Sequence, residues 1–196
     1  MARNPKLILS SGSPRRKELL EGAGIDFSVD IANDFKEVLP DGIKPEEVPV
    51  YMAKGKSHGF HRKLNYDEVL LTADTIVIAE GKVLGKPHSY AQAKDMLQLL
   101  SGKSHEVRTS VVLRSLEKEV TFTDVTKVIF SSLSEEEINY YIERYKPFDK
   151  AGAYGIQEWI GYIGITSIEG SYFNVMGLPI QRVYEELKAF GIEVRH

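Results

Sequence analysis

The chain has 196 residues, 42% of them hydrophobic and 27% charged, enough to bury a core as one domain or as two small lobes. Its 25 Lys and Arg stand against 28 Asp and Glu, a formal net charge of -3. That excludes wholesale binding to nucleic acid or to an anionic membrane and confines any anion site to a local cluster of cations. Cysteine is absent, which excludes disulfides, thiol nucleophiles and Cys-ligated zinc and agrees with a reducing compartment.

In chain order, the apolar run near 6–10 reads as a buried strand, and Ser13-Pro14 starts a helix over 14–22 that Gly22 and Gly24 close. Arg15 and Arg16 then stand at the positive end of that helix dipole, where each misplaced cation costs about 0.3–1 kcal/mol. A strand–loop–helix turn presents N–H groups to an anion, so a bound anion would reconcile the two arginines with the dipole. Removing either arginine should then cost the ligand-free protein no stability. No Walker A loop occurs.

FSVDIA (27–32) reads as a strand, a polar loop follows through Pro40-Asp41-Gly42, and a helix is expected from Pro49 to about Leu64. His58 and His61 on it have a metal-compatible spacing, but nothing else supports a zinc site, and none of the five histidines is given a ligand role. EVLLTADTIVIAE (68–80) is a β-rich run with Asp74 in its middle, followed by a turn at Gly81-Lys82. One carboxylate in an apolar strand would cost several kcal/mol to bury unpaired, which marks Asp74 as a general base or metal ligand.

Ser89 caps a helix to Leu100, ended by Gly102. HEVRTSVVLRS and EVTFTDVTKVIFS alternate as a long hairpin around Leu116–Lys118. Ser134 and Glu137 form a capping box for a helix to Lys146, stopped by Pro147. Residues 149–177 are rich in Gly and aromatics, with Tyr154, Trp159 or Tyr162 available to stack on a planar ring, and end in a hairpin turned at Glu169-Gly170. A last helix over 179–190 and a short IEV strand complete an α/β pattern with a mixed sheet. The N-terminus shows no apolar signal segment and no run is long enough to span a bilayer, so a cytoplasmic protein is expected.

Taken together, SxSPRRxELL at 11–20, ADT at 73–75, GKP at 85–87, SGxxHxVxT at 101–109, DKAGAYGIQ at 149–157 and GSYxxVMGLP at 170–179 resemble the Maf family over essentially the whole chain. That family, first named for inhibition of septum formation, consists of nucleoside triphosphate pyrophosphatases. The resemblance implies a single domain over residues 1–196. Its elongated, mixed twisted sheet would carry flanking helices and two lobes around a cleft, similar to the inosine-triphosphate pyrophosphatases. It implies hydrolysis of a nucleoside triphosphate to the monophosphate and pyrophosphate with a divalent cation, Mg2+ or Mn2+.

By position, Ser11, Arg15 and Arg16 fall on the family's phosphate-binding loop, and Lys56 and Lys86 on further substrate-binding lysines. Asp74 falls on the proton acceptor. Glu37 falls on an acidic residue that would share a metal ion with Asp74. Arg15, Thr75 and Gln157 fall on positions linked to substrate choice. The sequence departs from the pattern at Ser10 (alanine is usual), at Lys36 before Glu37, and at Glu158-Trp159 after Gln157, where glycine is usual.

Attack of water at the α-phosphorus needs cationic clamps on the leaving pyrophosphate, a divalent ion and a group to orient the water, and this residue set supplies them. Gln157 offers a donor and an acceptor, which match N3–H and O4 of uracil or thymine, whereas the two neighbouring donors of guanine suit a carboxylate. The family's branch acting on methylated GTP carries Glu there, so Gln157 points to dTTP and UTP, with removal of non-standard pyrimidine nucleotides as one use. A non-catalytic nucleotide-binding regulator of division or stress is the competing class. Exposed strand edges leave room for a homodimer.

Overall fold

The computed structural model describes residues 5–193. Among the described residues seven strands and seven α-helices follow one another: β1 (Lys6–Leu9), α1 (Pro14–Gly22), β2 (Phe27–Val29), α2 (Val48–His58), β3 (Glu68–Ala79), β4 (Lys82–Leu84), α3 (Tyr90–Leu100), β5 (Ser104–Arg114), β6 (Glu119–Phe130), α4 (Glu135–Tyr145), α5 (Trp159–Gly164), β7 (Ile165–Glu169), α6 (Tyr172–Met176) and α7 (Ile180–Ala189). The strands form an open mixed sheet in the order β2-β1-β3-β5-β6-β7, with β4 paired to β3. The chain divides into two compact units, and β3, β5 and β6 each run from one into the other.

The first unit comprises residues up to Asp74, Thr109–Asp124 and the chain from Gly177 onward. Leu7, Ile8 and Leu9 of β1 are all buried because this short strand is paired in parallel on both sides, Leu7 with Phe27 of β2 and with Val69 of β3. The connection from β1 leaves toward β2 and the chain later returns on the other side of β1 as β3. Open α/β sheets place ligands at the carboxyl ends of parallel strands where connections part in this way. Ile8, Leu70, Phe60 and Leu64 form one core cluster, and the buried Thr72 hydroxyl donates to Ala53 O at 2.8 Å, fastening β3 to α2.

Helix α2 stops at His58, short of the expected Leu64. Asn33 Nδ2 donates to Lys56 O at 2.6 Å and Asp34 N to Gly59 O at 2.8 Å, so a crossing segment takes carbonyls that a longer helix would use. Strand β2 likewise ends at Val29 rather than Ala32. The Asp30 carboxylate turns back to accept from Ala32 N at 3.2 Å, and His61 Nε2 lies 2.9 Å from it. Ile192 and Glu193 lie in no strand, and the rest of the expected IEV strand falls outside the described residues.

The second unit comprises Thr75–Arg108 and Val125–Met176. The turn expected at Gly81-Lys82 forms one residue earlier, at Glu80 and Gly81, both at positive φ as tight hairpins require, and Lys82 begins strand β4, paired antiparallel with the end of β3. Ser89 caps α3 through Gln92 N, and Ser134 and Glu137 make the expected capping box on α4. Strand β7 pairs antiparallel with β6, with a bulge at Ile129/Phe130.

The hairpin expected at Glu169-Gly170 does not form: β7 is followed by helix α6. Gly170, at φ +124°, is pressed against β6, where a Cβ would lie 2.9 Å from Thr126 Oγ1. The Ser171 hydroxyl then accepts Asn174 N at 3.2 Å and starts the helix, while Asn174 Nδ2 donates to Val107 O and to Thr126 Oγ1. Those side-chain bonds to β5 and β6 override the local turn signal.

Candidate active site

In the first unit, the loop after β1 continues past the register pair Leu9–Leu71, with Ser10 N donating to Leu71 O at 2.9 Å. The same parallel register carries β3 on to Asp74. Ser11 therefore leaves the sheet just past the carboxyl end of β1, whereas Asp74 lies partway along β3, which continues to Ala79. Ser13 N donates to Ser11 Oγ at 3.2 Å, while the Ser13 side chain makes no capping bond and no acidic residue stands in the first turn of α1.

Arg16 reaches back from that turn. Its Nε donates to Gly177 O at 2.9 Å, and its Nη1 donates to Ala73 O at 3.0 Å and to Ser11 Oγ at 3.1 Å. Burial pulls its pKa down to about 10 even though the Asp74 charge favours the cation. This corrects the expectation that Arg16 can be removed without loss of stability. The guanidinium is a strut joining α1, β3 and the chain at Gly177, and those carbonyls compensate it within the protein itself.

Lys56, on the last turn of α2, lies between two carboxylates, 2.7 Å from Asp74 Oδ1 and 3.1 Å from Glu37 Oε1. The Asp74 side chain is largely buried and the Glu37 side chain mostly exposed, so the pair offers one fixed and one accessible acid. Ser11, Arg16, Glu37, Lys56 and Asp74, named from sequence, are thus brought together within one unit. Arg15 occupies the first turn of α1, half-exposed.

Glu37 and Asp74 already converge on one cation, and among the described residues no group of three or more His, Asp or Glu could enclose a metal. Two carboxylates fit Mg2+ or Mn2+, which retain water and take phosphate oxygens from substrate, better than an ion needing a full protein cage. The i, i+3 histidines are otherwise engaged, His58 with Glu119 at 2.7 Å and His61 with Asp30 at 2.9 Å.

The second unit carries Thr75, on β3, Lys86 and Gln157. Lys86 is exposed on the GKP loop, whose Gly85 O accepts Gly152 N at 3.1 Å and so ties that loop to the glycine-rich segment. Gln157 lines a cavity of about 380 Å3 together with Ile156, Tyr162, Ile168 and Tyr172. Its Oε1 is buried with no hydrogen-bond partner. A buried unpaired carbonyl of this kind costs about 1–3 kcal/mol, and such atoms call for an explanation.

Of the three aromatics that could stack on a ring, Tyr162 is 84% exposed and lines this cavity. Trp159 packs edge-on against Tyr140 and does not line it. Tyr154 is buried, its hydroxyl 2.6 Å from His105 Nε2 and both rings packed against Phe130. Sequence reading found no partner for His105, because the aromatic cluster that holds it comes from three separate segments. Burial lowers the His105 pKa to about 4. The braces of the glycine-rich segment, Lys150, Glu158 and Tyr141, were also missed as a group, although Lys150 lies inside DKAGAYGIQ and Glu158 was noted as a departure.

An open mixed sheet with a serine–arginine loop following β1, and with a lysine joining two carboxylates in the same unit, defines an α/β protein suited to a phosphorylated ligand. Residues 6–190 match the family model described as Maf-like protein, and the chain belongs to that family. It is 54% identical over 183 residues to the dTTP/UTP pyrophosphatase of Phocaeicola vulgatus, covering 93% of this chain and 95% of that relative. It is 52% identical to the dTTP/UTP pyrophosphatase of Bacteroides fragilis over the same shares of each chain. It is 50% identical to that of Cytophaga hutchinsonii, over 97% of this chain and 87% of the relative. No helix among the described residues is long and apolar enough to cross a membrane.

Proposed function

We propose that this chain hydrolyses dTTP and UTP to the nucleoside monophosphate and pyrophosphate. The observation that carries the reading is the cluster in which Lys56 joins Asp74 to Glu37 beside the Ser11–Arg16 loop. The printed activity of relatives about half identical along nearly the whole chain supports the substrate pair.

In this reading Asp74 accepts the proton of the attacking water. Its largely buried carboxylate, held at one oxygen by Lys56, is the fixed acid of the cluster. Ser11 and the arginines of the α1 turn bind the phosphates, with Lys56 and Lys86 as further cations for the triphosphate. Arg16 has the added task of holding the loop's shape.

Glu37 and Asp74 would hold a divalent ion, Mg2+ or Mn2+, whose chemistry is to neutralise charge on the phosphate oxygens. Gln157 reads the base: its amide can donate to O4 and accept from N3–H of uracil or thymine, which gives its unpaired Oε1 a partner. Thr75 and Arg15 belong to the same choice of substrate. The cytoplasm as the site of action and a homodimer as the working form remain part of the proposal.

Incubating the protein with a panel of nucleoside triphosphates and a divalent ion, and assaying pyrophosphate, tests it. Pyrophosphate in step with UMP and dTMP is expected. Binding of UTP without any pyrophosphate would instead favour a nucleotide-sensing regulator.

A further inference from the structure

The acceptor of Gln157 is not held by the protein. With no hydrogen bond at Oε1, the backbone turn that carries the side chain bears more of the work of placing it. That backbone is braced by three side chains outside the residues assigned above. Tyr141, fully buried on α4, accepts Gly155 N–H at 2.9 Å on its hydroxyl and donates that hydroxyl's proton to Glu158 Oε2. Burial, followed by the neighbouring carboxylate, pushes the Tyr141 phenol well above its ordinary range, so it remains a donor. The other carboxylate oxygen, Glu158 Oε1, lies 3.1 Å from Lys150 Nζ, which also contacts Asp149 Oδ1 at 2.9 Å.

The backbone closes on the same point. Glu158 N donates to Gly155 O at 3.0 Å and Gly161 N to Glu158 O at 2.9 Å. Gly155 lies against the ion pair, where a Cβ would come within 3.0 Å of Lys150 Cε and 3.1 Å of Glu158 Cδ. Gly161 sits so close to Ile156 O that a Cβ would overlap it at 1.8 Å. Residues 155–158 therefore form one turn clamped from both sides, and the Glu158 carboxylate is the group that joins the α4 side to the Lys150 side.

We infer that Glu158 is a positioning residue for base selection: by tying Tyr141 to Lys150 it fixes the 155–158 turn and so aims Gln157 into the cavity it lines. The inference rests on the reading that Gln157 contacts the base. Glu158 has no contact with substrate in this role. Its loss should leave the phosphate chemistry of the other unit intact while blurring the choice of nucleotide. It should also loosen the backbone of the turn in the protein without substrate.

The test is Glu158→Ala, with Tyr141→Phe as a second variant that removes a single oxygen and is expected to act in the same direction should the first fail to fold. For Glu158→Ala, KM for UTP should rise about tenfold with kcat within about threefold, and the UTP-over-GTP ratio of kcat/KM should fall about tenfold. Inorganic triphosphate, which has no base, should keep its inhibition constant within about twofold, since uniform loss of binding would move it too. Hydrogen exchange at the amides of 155–158 should speed up about tenfold in the free protein. Glu158→Gln, which keeps an acceptor for Tyr141 but loses the charge facing Lys150, should fall between the parent and Glu158→Ala.

Parallel weakening of inorganic triphosphate and UTP would make Glu158 merely structural and overturn the proposal. Unchanged exchange at 155–158 would sink the clamp alone. Faster exchange with unmoved selectivity would overturn this role for Glu158, whereas failure of the base reading itself would show as an unmoved UTP-over-GTP ratio in Gln157→Glu.

Discussion

The two units are finished to different degrees. In the first, the polar groups of the candidate site are already matched to one another: Lys56 joins two carboxylates, and Arg16 places three hydrogen bonds on Gly177, Ala73 and Ser11. In the second, the backbone around Gln157 is clamped, yet the acceptor at its tip is buried without a partner. Every nucleoside triphosphate presents the same phosphates, so that part of a site can be fully assembled in advance. On the proposed reading, the part that distinguishes bases keeps a hydrogen-bonding group in reserve, because specificity comes from what is left unsatisfied when the wrong base enters.

The largest expected effect removes the fixed acid of the first unit. Asp74→Asn is nearly isosteric and should lower kcat for UTP by about a thousandfold, the scale of a lost general base, while UTP binding by calorimetry survives. Turnover within a few-fold of the parent would remove Asp74 from the mechanism and leave the first unit a binding site only.

Next comes Arg16→Ala, which asks whether the first unit is as complete as its geometry. Hydrogen bonds from a charged donor contribute about 1.5–3 kcal/mol each, and the carbonyls of Gly177 and Ala73 would lose theirs, so denaturant unfolding of the ligand-free protein should report a loss of about 2–4 kcal/mol. Unchanged stability would restore the view that this arginine waits for an anion.

A comparable effect, spread over a pH range, belongs to the second unit. His105 is buried with its pKa lowered to about 4, while in the unfolded chain it titrates near 6.5. As pH falls below 6.5 the unfolded state takes up a proton that the folded state refuses. Stability present above pH 6.5 is therefore lost toward pH 4, with a slope of up to about 1.4 kcal/mol per pH unit. His105→Gln should flatten that slope in unfolding curves recorded between pH 6.5 and 4. An identical slope in the variant would place the acid sensitivity elsewhere.

What the sequence disclosed and what it withheld follow from the range of the forces involved. Helix α1 over 14–22, the cap at Ser89, the box at Ser134-Glu137 and the apolar runs of β1 and β3 are set by neighbouring residues, and they formed as read. Asp74 was legible as a lone carboxylate in an apolar strand. The end of α2 was not legible, since it is decided by Asn33 donating to Lys56 O across 23 residues. Nor was α6 at a place that reads as a hairpin turn, because Asn174 is fixed by Val107 and Thr126. Arg16 was identified as a site residue for a sound local reason, the helix dipole. Its compensation came from carbonyls 57 and 161 residues away, which no window of sequence contains.

The proposed division of labour, phosphate chemistry at Asp74 and base choice at Gln157, is tested most directly by the ratio of kcat/KM for UTP over GTP, taken from single-turnover measurements on the parent, Asp74→Asn and Gln157→Glu. In Gln157→Glu a carboxylate faces O4 as one acceptor against another, while the two donors of guanine gain a matching pair of oxygens. The ratio should therefore fall by about one to two orders of magnitude. In Asp74→Asn both rates should fall by the same factor and the ratio should stay where it was. A ratio unmoved by Gln157→Glu, or one displaced by Asp74→Asn, would contradict the account.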